Sequence, residues 1–275
     1  MIKLLRANLL RLVKSKTFIA CLAIQAGLTL MMTLNVYLVN LAEKRPVADM
    51  VFDITACSPY GAALLAVMSS IFMGYDYHNG TIRNKLIIGY SRYEIYFANL
   101  ITCAISALCL NLSAMAVFYP VSLPLLYGFA GDPLHLFKIF SLGWLIMLVY
   151  ASLYTAVAMT TKNTVAPLII TIASLFVFMM LAQYMISQIN APLEWTDYIY
   201  NEAGEFVPVV VPNPHRLSEG VLKFFGVCLN IFPSGQMTIL SSEKLVGWQS
   251  ALSSVCIIVL SSAAGIALFR KENIN

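Results

Sequence analysis

Long apolar runs, rather than alternation, set the pattern of this chain. Residues 17–41, 58–77, 97–119, 139–160, 165–189 and 249–269 are each predominantly apolar, and most charged residues and prolines collect in the gaps between them. Each run approaches the roughly 20 residues that an α-helix needs to cross the hydrocarbon of a bilayer. A backbone in lipid has no water to bond, so all six are predicted to be helices. The expected fold is an all-α integral membrane protein, with one transmembrane domain over residues 1–275 and six transmembrane helices.

Composition agrees with that class. With 60% hydrophobic and 11% charged residues, the 275-residue chain has too little polar surface for a water-soluble globule of its size. Charge then predicts sidedness. Eleven of the seventeen basic residues fall on one side of the six predicted spans: Lys3, Arg6, Arg11, Lys14, Lys16, Arg83, Lys85, Arg92, Lys162, Arg270 and Lys271. Only three acids, Asp76, Glu94 and Glu272, share that side. Short cytoplasmic segments retain Lys and Arg, so both termini are expected in the cytoplasm of a multi-pass cell-membrane protein. The net charge of +4 is thereby explained by topology, without nucleic-acid binding.

The segment 1–16 interleaves Leu4, Leu5, Leu9, Leu12 and Val13 with Lys3, Arg6, Arg11 and Lys14. That spacing fits an amphipathic helix lying at the inner interface; the plainer reading is a basic flank of the first span. The following apolar run is too long for a signal peptide and lacks a small-residue cleavage site, so it is expected to be retained. Cys21, Cys103, Cys109 and Cys256 lie inside apolar runs, where cysteine behaves as a small hydrophobe. Cys57 and Cys228 both fall on the outer side, which leaves an outer disulfide open. His78, His135 and His215 are too scattered for a shared metal site.

Outside the spans, 190–248 is the longest segment. Its prolines and its apolar patches at 207–211 and 222–225 predict an interfacial cap of short helices and turns, with helices near 217–231 and 236–245. Within the spans, Gln25, Asn35, Tyr37, Asn111, Ser113, Gln183 and Tyr184 either line a polar seam or bond helix to helix. Met147, Met159, Met179, Met180 and Met185 read as adaptable packing.

The gap between the second and third runs carries the densest local signal. In Asp76-Tyr-His-Asn-Gly-Thr-Ile-Arg-Asn-Lys-Leu-Ile-Ile-Gly-Tyr-Ser-Arg92, Gly80 permits a sharp turn, Thr81 is a candidate helix cap, and Gly89 and Ser91 mark an exit. Arg83 and Lys85 offer hydrogen-bond donors, and Ile82 and Leu86 offer an apolar side. A short helix pressed into another protein fits this pattern, as does an ordinary basic connection.

At these residues the chain resembles the membrane subunit of an ABC-2 type transporter, a bacterial permease family that includes bacteriocin-immunity and drug-export permeases. The resemblance is carried by Phe72-Met-Gly-Tyr-Asp, Gly80-Thr-Ile-Arg-Asn-Lys-Leu-Ile and Gly89-Tyr-Ser-Arg92. Asn213-Pro214, Phe232-Pro-Ser-Gly-Gln236 and the closing Gly265-Ile-Ala-Leu-Phe-Arg-Lys271 add to it. It implies a permease paired with separate cytoplasmic ATPase chains, which would hold the ATP and Mg, and with a second identical or related permease. It further implies that Gly80, Thr81, Ile82, Arg83, Asn84, Lys85 and Leu86 form the coupling helix docked into the ATPase, with Lys3, Arg6, Arg11 and Lys14 on the interfacial helix beside it. Export of a peptide, lipid-like or drug-like substrate follows.

The chain itself has no Gly-x-x-x-x-Gly-Lys-[Ser/Thr] run, His-Glu-x-x-His motif or Gly-x-Ser-x-Gly elbow, so it is expected to be a non-catalytic subunit. The alternative is a ligand-sensing or immunity subunit that binds without moving its ligand.

Overall fold

The computed structural model describes residues 1–43, 58–125, 133–200, 206–241 and 248–271. In chain order these form α1 (Ile2–Val13), α2 (Lys16–Ala42), α3 (Ser58–His78), α4 (Thr81–Ile87), α5 (Arg92–Leu125), α6 (Pro133–Thr161) and α7 (Val165–Ile189). Then come β1 (Glu194–Tyr200), β2 (Phe206–Pro212), α8 (Glu219–Ile231), α9 (Pro233–Ser241) and α10 (Trp248–Lys271). Five helices, α2, α5, α6, α7 and α10, are long and apolar enough to cross a membrane. The chain is a multi-span membrane protein built as a helical bundle.

α3, expected as one more span, differs from those five. Its 21 residues pack against α2, α5, α6 and α7, and they carry the buried Ser69, Ser70 and Asp76. A helix enclosed by protein can hold polar groups that a lipid-facing helix cannot. Small residues bring its neighbours close. A Cβ at Gly61 would sit 3.4 Å from Met147 and 3.7 Å from the Gln25 side chain, so α2 and α6 both approach α3 there.

The bundle keeps an apolar core but, unlike a soluble protein, also shows an apolar surface. On α2, Gln25, Thr29, Thr33 and Asn40 are buried, while Met31, Leu34 and Leu38 are exposed. Ile169, Ile170, Val177 and Met180 of α7, and Val255, Val259 and Leu260 of α10, likewise face outward. The buried threonine hydroxyls of α2 are satisfied along their own helix: Thr29 donates to the Gln25 carbonyl at 2.9 Å, and Thr33 to that of Thr29 at 2.8 Å. Lipid replaces water as solvent for the outward face, so the polar stripe turns to protein.

Helix ends gather at a common face. Ser15 caps α2, its hydroxyl accepting from the Phe18 N–H. Ser91 and Glu94 form a reciprocal capping box at the start of α5, with bonds of 3.0 and 3.2 Å. Arg92 donates to the Phe269 carbonyl at 2.6 Å, and Arg270 to the Tyr93 hydroxyl at 2.6 Å, tying the start of α5 to the end of α10. Tyr77 donates to the Met159 carbonyl at 2.5 Å, which adds the end of α6. The eleven basic residues grouped by sequence thus share one end of the bundle.

The opposite end departs from expectation in one respect. Where short helices and turns were expected after α7, an antiparallel hairpin comes first, with Trp195 opposite Val211 and Asp197 opposite Val209. The valine-rich run Phe206–Pro212 suits a strand, and a two-stranded sheet has only edges, which tolerate Pro208 and Pro212. Asn213 closes the base: its N–H reaches the Leu193 carbonyl and its amide the Pro192 carbonyl, each at 3.0 Å. The expected helices then follow as α8 and α9. Cys228 is a free thiol on α8; Cys57 and the outer connection around it lie outside the described residues.

Candidate functional site

The basic end holds a buried cluster drawn from four elements. α1 buries Leu4, Asn8 and Leu12, a stripe with a spacing of four that lies against the bundle. Asn8 donates to Asn99 of α5 at 2.8 Å, and Asn99 in turn contacts the Met159 sulfur at 3.2 Å. One turn beyond Asn8, Arg11 embraces the carboxylate of Asp76 with both terminal nitrogens, the Nη2–Oδ2 bond being 3.1 Å. The Arg11 guanidinium lies 3.8 Å from the centre of the Phe72 ring. Asp76, at the end of α3, is wholly buried.

From the other side comes α4. Gly80 adopts the left-handed conformation with φ of 64°, which a residue with a side chain enters only at a cost, and the chain reverses there into Thr81–Ile87. The N-cap is therefore Gly80 rather than Thr81. Ile82 and Lys85 point inward, Ile82 being 1% exposed. Lys85 donates to Asp76 at 3.0 Å and to Asn8 Oδ1 at 3.3 Å. Burial lowers the Lys85 pKa; the Asp76 carboxylate pulls it back up, and the Arg11 guanidinium pushes it down. One carboxylate thus joins α1, α3 and α4, at an end where Asn8 also fixes α1 to α5.

The inward turn of Ile82 and Lys85 decides what α4 shows outside. Leu86 is half-buried against the core, whereas Arg83 and Asn84 are exposed. Ile87 and Ile88 are 73% and 76% exposed, and Gly89, with φ of 99°, ends the segment. Lys3, Arg6 and Lys14 lie on the open side of α1, while Arg11 is half-turned into the cluster. Ile82 and Lys85, expected to face a partner, instead hold α4 to its own bundle. The exposed face of this segment is left to Arg83, Asn84, Ile87 and Ile88.

Sequence reasoning missed Asn8, Asp76 and Asn99 as a unit. A signal was present for two of them: Asn8 sits midway between Leu4 and Leu12 on one helical face, and Asp76 is one of only three acids on the basic side. Of the candidate polar seam, Gln25 is buried near Gly61, Tyr37, Asn111 and Ser113 are half-buried, and Asn35 of α2 and Gln183 and Tyr184 of α7 are exposed. Of the methionines, Met147 and Met159 are core residues and Met180 is 74% exposed. No group of His, Cys, Asp or Glu suited to a metal ion occurs among the described residues.

A second polar cluster occupies the opposite end. Gln236 of α9, 1% exposed, donates to the Asn230 carbonyl at 2.8 Å and to Ser253 Oγ at 2.9 Å, and accepts from Ser254 at 2.8 Å. Ser250 donates to Asn230 Oδ1 at 2.6 Å, and Tyr150 of α6 shares a 2.8 Å bond with Ser234. A Cβ at Gly235 would meet the Leu229 carbonyl oxygen at 2.5 Å, so α8 and α9 touch backbone to backbone. The Phe232-Pro-Ser-Gly-Gln236 run is therefore a structural corner.

No protein-family model matches the chain, and no curated protein matches it.

Proposed function

We propose that this chain is the membrane-spanning permease of an ATP-driven exporter of the ABC-2 type, working with separate cytoplasmic ATPase chains and a second permease copy or relative. In this reading α3 counts as a sixth span, both ends of the chain lie in the cytoplasm of a bacterial cell, and α4 is the element on which the ATPase pushes. The observation that carries it is the build of α4. A seven-residue helix outside the spans is fastened on one side by Ile82 and Lys85, and on the other it presents two bare isoleucines beside Arg83. Exposed apolar side chains next to a cation suit a protein groove better than open water.

Fastening matters for such a role. A push on Ile87 and Ile88 reaches α3 through Lys85–Asp76 and α1 through Arg11–Asp76, so the short helix moves its neighbours with it. Transport then requires that ATPase and substrate favour different arrangements of the spans.

The test is purification of the tagged chain from its native membrane, followed by identification of what accompanies it. An ATPase is expected in the parent complex, and Ile88→Asp and Arg83→Glu should each remove most of it while leaving membrane insertion intact. Ile82→Asp is unsuitable, because it places a charge in the protein's own core. Normal ATPase association in both surface variants would defeat the coupling assignment.

A further inference from the structure

A recess of about 180 Å³ opens at the corner between α1 and α2, against α3. Its polar rim is Arg11, Ser15, Thr17 and Asn79, and its apolar wall is Met68, Ile71, Phe72 and Tyr75. From Met68 to Tyr75 the wall extends roughly 10 Å along α3 at 1.5 Å per residue. The rim lies at the basic end, and the wall climbs into the spanning part of the bundle. We infer that this recess binds an anionic phospholipid, its phosphate at the Arg11 rim and the start of an acyl chain along Ile71 and Met68.

Charge is the first reason. Arg11 and Lys85 both pair with Asp76, which leaves two cations to one carboxylate in a mostly buried cluster. The surplus positive charge borders the recess through Arg11, whose side chain is 37% exposed, and it favours a second anion beside the shared Asp76 carboxylate. Lys14 and Lys16, exposed in the sequence around Ser15, add to the positive potential.

Hydrogen bonding is the second. The Arg11 Nε–H has no acceptor among the described residues, and the Thr17 hydroxyl and the exposed Asn79 amide border the same recess. The Ser15 hydroxyl accepts from Phe18 and keeps its own proton for another acceptor. Phosphate oxygens offer those acceptors. The apolar wall is the third reason, because free phosphate has no use for it. Tyr75, 55% exposed, stands where an amphipathic ring meets headgroups. The inference concerns this chain alone and does not depend on coupling to an ATPase.

The experiment uses the full chain purified in a neutral detergent, titrated with phosphatidylglycerol, phosphatidylcholine or inorganic phosphate and read by native mass spectrometry and thermal unfolding. Phosphatidylglycerol should bind one per chain, about tenfold or more tighter than phosphatidylcholine. Arg11→Gln should weaken it by roughly tenfold. Ile71→Trp, which fills the recess and leaves the Asp76 ion pairs in place, should do the same without lowering the unfolding temperature. Equal retention of the two lipids, or parental phosphatidylglycerol binding by Ile71→Trp, would overturn the site. Inorganic phosphate stabilising as strongly as phosphatidylglycerol would make it a free-phosphate site and overturn the lipid assignment.

Discussion

The two buried polar clusters, one at each end of the bundle, solve the same packing problem with different chemistry. At the end opposite the basic residues, Gln236, Asn230 and the serines of α10 are neutral and bond to one another at short distances. At the basic end, Asp76 is shared by Arg11 and Lys85, and the cluster keeps a surplus charge. A neutral, closed network fixes a corner once. A charged one holds its elements by forces that depend on every partner staying in place, and it leaves potential for an outside anion. The difference sets a neutral corner of α8, α9 and α10 against a charged joint of α1, α3 and α4.

The comparison breaks most visibly at Asp76. Asp76→Ala leaves two cations facing each other without a counter-ion, and the expected loss is about 3–5 kcal/mol. It should appear as a large drop in the unfolding temperature of the purified chain, or as failure to accumulate in the membrane. A small drop would mean that α1 and α4 do not depend on this carboxylate.

At the neutral corner the expected effect is smaller. Gln236→Leu keeps volume but strands the Ser254 hydroxyl, while the Asn230 carbonyl keeps its 2.7 Å bond from Ser253, at a cost of about 1–3 kcal/mol measured by the same unfolding assay. The deficit should be the same at low and high salt, because no net charge is involved. A salt-dependent deficit would erase the distinction between the two ends.

The finest test is Lys85→Met, which restores one cation to one carboxylate. Its effect near neutral pH should be under about 1 kcal/mol, since a lost ion pair is offset by a lost desolvation cost. Its signature is in alkali. Burial holds the Lys85 pKa below the ordinary 10.5, so between that lowered value and 10.5 the folded chain binds fewer protons than the unfolded one. Stability of the parent therefore rises with pH through that window, by linkage. Lys85→Met should flatten the rise, as followed by unfolding temperature against pH. An unchanged slope would show that Lys85 does not sit in the low-dielectric cluster.

Several features were legible before any coordinates. Long apolar runs become helices because lipid offers the backbone no alternative, and α2, α5, α6, α7 and α10 follow the expected runs closely. Val207–Val211 shows the limit of such reading, since a short β-branched run between prolines fits a strand or an interfacial turn. Only pairing with 194–200 decided it.

What the sequence by itself determined is therefore the helical, membrane-spanning character, the collection of basic residues at one end, and the turn at Gly80. These rest on local properties: run length, hydropathy and a glycine backbone. Tertiary structure alone decided which face of α4 turns inward, because Ile82 and Lys85 differ from Ile87 and Arg83 only in what stands opposite them. It also decided that Asp76 would serve both Arg11, 65 residues away in sequence, and Lys85, nine residues away. A buried charge chooses its partner by distance in space, and no spacing along the chain encodes that distance.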